Sequence, residues 1–286
     1  MTSHQEQISS GQRFEFGKNW SRFLRTLNDE RIVEATESLR NFFSTEDLTG
    51  RRFLDVGCGS GLFSLAARRL GAAVHSFDFD PQSVACTLTL RERFFPQDEQ
   101  WTVEEGSVLD KEYLQSLGQF DIVYSWGVLH HTGRMHEALE NVLIPLRESG
   151  MLYIAIYNDQ GRASRRWKRI KKFYCDLPRP LRLPFSLAMI VPKETRQLLR
   201  CLITFRPHRY VRHWTDYSKK RGMSRWHDHV DWLGGYPYEF AKPEEMTQFF
   251  LERGYTLIRM RTVGGMAGCN EFTFADWKHL EGNGRG

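Results

Sequence analysis

The stretch FLDVGCGSG at residues 53–61 decides the fold, because it places a glycine-rich turn directly after a short apolar run. The residues that follow, SGLFSLAARRLG at 60–71, have the apolar spacing of a helix that ends at Gly71. A strand, a tight turn and a helix in this order form the opening unit of a parallel α/β sheet. We therefore expect the sheet to begin here.

The alternation of strand and helix continues from this stretch to Asn158. Apolar runs predict strands at 52–58, 72–79, 101–108, 120–128 and 151–158. Helical spacing between them predicts helices at 60–71, 81–95, 111–118 and 134–150. Right-handed crossovers then place helices on both faces of one sheet.

The alternation stops after Asn158 and returns near Ala241, where a helix and two further strands are predicted. We divide the chain into an N-terminal tail and helical cap (1–50), a Rossmann-like core (51–158), an insertion (159–240) and a return to the core (241–286). The first twelve residues are polar and are expected to fray. The predicted fold is an α/β, Rossmann-like, seven-stranded, mostly parallel and doubly wound sheet with a mainly helical insertion after the fifth strand.

Basic residues are concentrated in one part of the chain. Residues 161–225 hold 19 Lys/Arg and 3 Asp/Glu, whereas the rest of the chain holds 21 and 32. Such asymmetry is typical of a surface that meets an anionic molecule, although a solvated surface would also account for it.

The spacing of the glycines indicates which ligand the turn binds. Gly57, Gly59 and Gly61 follow a G-x-G-x-G pattern, whereas dinucleotide sites use G-x-G-x-x-G, whose third glycine would stand at Leu62. Asp55 precedes the glycines, and its carboxylate would repel a pyrophosphate but would suit a cationic ligand. The pattern disfavours a nicotinamide dehydrogenase.

A second acidic position follows at the end of the next predicted strand. Asp78 lies 21 residues after Gly57, where a carboxylate can accept both hydroxyls of a ribose. Asp80 competes for this role, but it is better placed to cap the helix that begins at Pro81.

These segments together resemble class I S-adenosylmethionine-dependent methyltransferases. The resemblance rests on FLDVGCGSG, VHSFDFDP, EEGSVLD, FDIVYSWGVLHH and MLYIAIYN, and it covers residues 28–158 and, more weakly, 241–276. It is nearest to the ubiquinone-biosynthesis O-methyltransferases and related small-molecule enzymes. It implies S-adenosyl-L-methionine as the cofactor, and the expected cofactor-binding set is Trp20, Arg31, Asp55, Gly57, Cys58, Gly59, Gly61, Asp78, Phe79, Ser107, Val108 and Trp126.

Two histidines follow the fourth predicted strand. The resemblance places a histidine at the second of them, His131, beside the transferable methyl group. A neutral imidazole there could take the proton of an attacking hydroxyl, so His131 is the preferred catalytic candidate and His130 the second.

The insertion carries a dense aromatic and acidic run, RGMSRWHDHVDWLGGYPYE at 221–239. Its side chains could line a substrate site or pack as a lid. The run has no zinc-type spacing, so no metal is predicted. The substrate candidates are His227, Asp231, Trp232, Tyr236, Tyr238 and Asn270.

The predicted function is methyl transfer to an oxygen of a small-molecule acceptor, which is anionic or lipid-like if the basic segment contacts it. Alternatives are methylation of an amine or peptide, methylation of a lipid or quinone at a membrane surface, and a non-enzymatic cofactor-binding module. Residues 177–203 are apolar with basic edges and suit peripheral membrane contact, and no segment reaches the length of a membrane span. No nucleic-acid-binding module is recognised, and scattered cysteines without a CxxC pair fit a cytoplasmic protein.

Overall fold

The computed structural model describes residues 4–210, 212 and 232–276. Seven strands form one sheet in the order β3-β2-β1-β4-β5-β7-β6. Strands β1 to β5 pair in parallel, and β7 runs antiparallel to both β5 and β6. The predicted mostly parallel, seven-stranded architecture is confirmed.

The strands are β1 Arg52–Val56, β2 Ala73–Asp78, β3 Trp101–Glu105, β4 Phe120–Trp126, β5 Leu146–Tyr157, β6 Tyr255–Arg261 and β7 Cys269–Asp276. The helices are α1 His4–Ser9, α2 Gly17–Leu24, α3 Asp29–Phe43, α4 Leu62–Arg69, α5 Pro81–Phe94, α6 Lys111–Ser116, α7 Met135–Asn141, α8 Arg162–Asp176, α9 Arg179–Ile203 and α10 Pro243–Leu251. A 3₁₀ turn, Leu129–His131, follows β4.

Both faces of the sheet are covered, which explains why its central strands are continuous apolar runs. Successive side chains of a strand point to opposite faces. Leu54 accordingly packs in the cluster that includes Leu139 and Phe250, from α7 and α10, and the preceding Phe53 packs with Leu39 and Leu65, from α3 and α4.

The predicted helix at 134–150 was wrong in its second half. Helix α7 ends at Asn141, and β5 already begins at Leu146. Pro145 explains the difference, because proline in a helix interior removes a hydrogen bond and clashes with the preceding turn. Its carbonyl instead accepts a hydrogen bond from the backbone N–H of Phe120 at the start of β4.

The expectation that the first twelve residues fray was also wrong for residues 4–12. Residues 4–9 form α1, and the ring of His4 meets that of Phe79 edge-on with centroids 5.5 Å apart. The backbone N–H of Phe14 then donates to the carbonyl of Tyr236, 2.8 Å away. The N-terminal segment thus lies between the core and the insertion.

The described part of the insertion is mainly helical. Helix α8 buries Ser164, Lys171, Tyr174 and Cys175. Helix α9 exposes a row of apolar side chains that includes Leu183, Leu187, Val191, Leu202 and Ile203. Within the described ranges, no helix is both long enough and apolar enough to cross a bilayer. Peripheral membrane contact stays a prediction.

Candidate functional site

A cavity of about 1710 Å³ opens at the carboxyl ends of β1, β2 and β4. Ligands of open α/β sheets bind at this edge, where the chain leaves the strands in loops. The turn after β1 forms one wall, and residues of α2, of the 3₁₀ turn and of the insertion form the others. The cavity therefore joins the predicted cofactor loop to the insertion.

The glycine turn needs conformations and clearances that side chains do not permit. Gly57 and Gly59 have φ of +78° and +55°, in the left-handed region. A Cβ atom on Gly59 would lie 3.0 Å from the indole of Trp20, which covers the turn. Gly61, with φ +78°, caps the start of α4 and faces Thr87, so it shapes the turn without lining the cavity.

Asp78 ends β2 and lines the cavity beside this turn. Its Oδ2 atom accepts a hydrogen bond from the backbone N–H of Gly59, and its Oδ1 accepts one from that of Asp80, both at 2.9 Å. Burial raises the pKa of Asp78 to about 6. The carboxylate fixes the turn and keeps lone pairs for hydroxyl donors of a ligand.

Asp55 lies deeper in the same wall. Its carboxylate accepts a hydrogen bond from Ser64 Oγ at 2.5 Å, and burial raises its pKa to about 7. A cationic ligand would compensate for this burial and favour the ionised form. A buried carboxylate and a half-buried one beside a glycine-rich turn fit the sulfonium, the ammonium and the ribose of S-adenosylmethionine.

The raised pKa values of these carboxylates predict how pH acts on cofactor binding. A carboxyl group is neutral below its pKa, so Asp55 and Asp78 lose their charges as pH falls through about 7 and about 6. We expect the affinity for S-adenosylhomocysteine to fall at least about tenfold between pH 8 and pH 5. Calorimetry at pH 6.5 in two buffers of different ionisation enthalpy should show proton release on binding; an affinity independent of pH would contradict this assignment.

The other core positions expected to bind the cofactor lie around the cavity. Cys58, Phe79, Ser107, Val108 and Trp126 all line it. Trp126 is 45% exposed, and its Nε1–H donates to Glu271 Oε1 at 3.3 Å.

Arg31 does not reach this cavity. Its guanidinium donates to the Thr26 carbonyl at 3.3 Å and lies over the ring of Phe23. Arg13, which the sequence reasoning missed, does line the cavity. It donates to the carbonyl of His131 at 3.2 Å and lies 5.1 Å from the ring centroid of Phe79.

His131 and His130 are adjacent in the chain but have different surroundings. His131 lines the cavity, and its Nδ1 lies 2.6 Å from the carbonyl oxygen of Pro237. Since a carbonyl only accepts, Nδ1 carries the proton and Nε2 keeps a lone pair. Burial lowers the pKa of His131 to about 3, so the ring is neutral at physiological pH. His130 is fully buried behind it, against Tyr157, and does not line the cavity.

The substrate candidates divide into three groups. Trp232 and Tyr236 line the cavity. Tyr238 and Asn270 do not: Tyr238 is buried against Tyr157, and Asn270 hydrogen-bonds to Asn158 at 3.0 Å. His227 and Asp231 lie outside the described residues.

Three cations that sequence reasoning did not single out line the cavity from the insertion. They are Lys171 on α8 and Arg196 and Arg200 on α9. Lys171 is buried, whereas the two arginines are exposed at the mouth. The helical phase of α8 was an available signal, because Trp167, Lys171 and Tyr174 share one face of a helix.

Comparisons with known proteins agree with this architecture. A family model described as a methyltransferase domain matches residues 24–188, which is more than half of the chain. A ubiquinone biosynthesis O-methyltransferase of Glaesserella parasuis is 31% identical over 121 residues, covering 42% of this chain and 50% of that protein. A tRNA U34 carboxymethyltransferase of Methylococcus capsulatus is 34% identical over 119 residues, covering 41% and 36%. The chain thus spans half the length or less of these two relatives.

Solved structures resemble the chain over most of its length. The magnesium protoporphyrin IX methyltransferase of Synechocystis, with bound S-adenosylhomocysteine, is 14% identical at a TM-score of 0.51 and covers 91% of this chain and 94% of that one. PKMT2 of Rickettsia typhi, in complex with the same product, is 12% identical at a TM-score of 0.55 and covers 85% and 53%. At such identities the likeness shows the fold. The family model, the fold and the motifs around the cavity together show that the chain belongs to the methyltransferase domain family, in its class I, S-adenosylmethionine-dependent group.

Proposed function

We propose that this protein transfers a methyl group from S-adenosylmethionine to a hydroxyl oxygen of a small-molecule acceptor. The observation that carries the proposal is one cavity that joins the glycine turn and Asp78 to the imidazole of His131. When bound, S-adenosylmethionine supplies a methyl group activated by a positively charged sulfur. The chain's own residues have to hold both reactants in line and receive one proton.

The cofactor-binding residues are assigned from the wall that they form. Asp78 accepts the ribose hydroxyls, Asp55 faces the cationic end of the cofactor, and Trp20 covers Gly59. The cofactor would thus add a positive charge beside Asp55 and hydroxyl donors for Asp78, beyond the hydrogen bonds that the two carboxylates already accept.

His131 supports the acceptor oxygen. Its Nε2 lone pair accepts a hydrogen bond from the hydroxyl, and the Pro237 carbonyl fixes the ring through Nδ1. A pKa near 3 makes His131 a weak base. The proton of the hydroxyl becomes strongly acidic as the new carbon–oxygen bond forms, so a weak base suffices to take it.

Replacement of His131 tests the hydroxyl assignment. We expect His131→Ala to lower kcat on hydroxyl acceptors by about 100-fold, the low end for a general base, with affinity for S-adenosylhomocysteine unchanged. Acceptors are first found by mass spectrometry on pools of phenols, hydroxy acids and amines. His136→Ala, an exposed histidine outside the cavity, is the control.

The same experiment separates the rival reactions. Methylation restricted to amines, unaffected by His131→Ala, would replace the proposal with N-methylation. Binding of the cofactor without turnover on any pool would favour a non-enzymatic module.

A further inference from the structure

The insertion buries one cation, Lys171, in the wall of the cavity. The residue is 1% exposed, and it is the single buried one among the lysines and arginines whose burial the structure describes. Its Nζ donates to the carbonyl of Trp232 and lies 4.8 Å and 4.9 Å from the ring centroids of Trp232 and Tyr238. These partners are neutral, and no carboxylate of the described residues pairs with Lys171.

Such burial is costly for a charged amine without a counter-ion. Burial accordingly lowers the pKa of Lys171 to about 7. Of the three N–H donors of the ammonium, the Trp232 carbonyl uses one. The ammonium keeps two N–H donors, and Lys171 lines the cavity. An anionic ligand could accept from these donors, and its charge would favour the protonated form of the amine.

Lys171 lies on the acceptor side of the cavity. The ring of His131 is 5.4 Å from that of Tyr157, and Tyr157 is 5.2 Å from Tyr238, whose ring Lys171 contacts. The rings of Tyr157 and Tyr238 therefore connect His131 to Lys171.

Charge is distributed unevenly along the cavity. The cofactor end holds the carboxylates of Asp55, Asp78 and Asp80, with Arg13 close to the last two. Glu271 also lines the cavity, and it lies 3.8 Å from Arg261. The insertion end holds Lys171, with Arg196 and Arg200 one helical turn apart at the mouth. In the part of the chain that the structure describes, neither arginine forms an ion pair. These three cations, which have no counter-ion among the described residues, would draw an anion inward and hold it at the buried one.

We propose that Lys171 is the anion-binding residue of the acceptor site and that the acceptor carries an acidic group, a carboxylate or a phosphate, beside its hydroxyl. The inference rests on the proposed function, because it assumes that the insertion end of the cavity receives the acceptor. Arg196 and Arg200 guide the acidic group inward, and Lys171 holds it so that the hydroxyl faces His131.

The test measures binding of small probes to the full chain loaded with S-adenosylhomocysteine. Benzoate, phenyl phosphate and the neutral benzamide are titrated by ligand-detected NMR. The wild type should bind one or both anions at least about tenfold more tightly than benzamide, and the stronger anion identifies the acidic group. Equal affinity for all three probes would overturn the proposal.

Variants assign the preference to Lys171. Lys171→Met should abolish it, as should Lys171→Gln, which keeps a donor for the Trp232 carbonyl. Lys172→Met should retain it, because Lys172 is exposed and paired with Asp176. Unchanged affinity for S-adenosylhomocysteine shows that each variant is folded. If the anion preference survives in both Lys171 variants, it is due to other cations and the assignment to Lys171 is wrong. Methyl transfer to neutral hydroxyl acceptors would stand in that case, so the two proposals can fail separately.

Discussion

Asp78→Asn should weaken the binding of S-adenosylhomocysteine by about 100-fold or more. If Asp78 accepts both ribose hydroxyls, the substitution removes two charge-assisted hydrogen bonds, each contributing about 1.5–3 kcal/mol. The amide also offers an N–H toward Gly59 or Asp80, whose backbone N–H groups donate to the carboxylate in the wild type. Isothermal titration of the purified variant measures the loss.

The matched control is Asp110→Asn. Asp110 caps α6 by accepting from the backbone N–H of Tyr113 at 3.0 Å, and it does not line the cavity. Its replacement should lower stability slightly and leave cofactor affinity unchanged. If Asp78→Asn lost less than about fivefold in affinity, the ribose assignment would be wrong.

Gly57→Ala should lower the free energy of unfolding by about 2–5 kcal/mol, because the left-handed backbone at this position disfavours a side chain and because the added methyl group overpacks the site. A Cβ atom at Gly57 would come within 2.4 Å of Val128 Cγ1, so the turn has to shift. Since the same turn lines the cofactor cavity, affinity for S-adenosylhomocysteine should fall as well. Urea denaturation of the free protein measures the first effect and calorimetry the second.

Gly50 supplies a control, because its backbone is also left-handed but no atom lies near the position of an added Cβ. Its φ is +76° and no atom lies within 4 Å of its built Cβ, so Gly50→Ala should cost only the conformational part, about 1–2 kcal/mol. Adding Val128→Ala to Gly57→Ala should recover part of the stability. Equal losses at Gly57 and Gly50 would show that the turn relaxes freely around a methyl group.

The core of the fold could be predicted because local patterns and burial agree there. The strands β1, β2, β4 and β5 are covered on both faces, so each is visible as an apolar run between turn residues. The end of α7 was missed although the sequence held the signal. Pro145 interrupts the helical spacing, and the apolar residues around it belong to a helix end and to the start of a strand.

The candidate site could be predicted from the sequence where one short segment forms it. The glycines of the turn at 57–61 indicate the left-handed backbone that the turn needs. Asp78 follows 21 residues after Gly57, at the end of the next strand. Arg13 and Lys171 had no comparable local signal. Arg13 is placed by a hydrogen bond to the carbonyl of His131, 118 residues away. Lys171 lies in a basic run, where only its helical phase distinguishes it from its exposed neighbours.

The contact between Phe14 and Gly234 links the N-terminal segment to the insertion. A Cβ atom on Gly234 would overlap the ring of Phe14. The backbone N–H of Phe14 donates to the Tyr236 carbonyl, which fixes the two segments at this separation. A larger residue at 234 therefore requires a smaller one at 14. In related proteins these two positions should therefore change together in evolution, as a covarying pair separated by 220 residues.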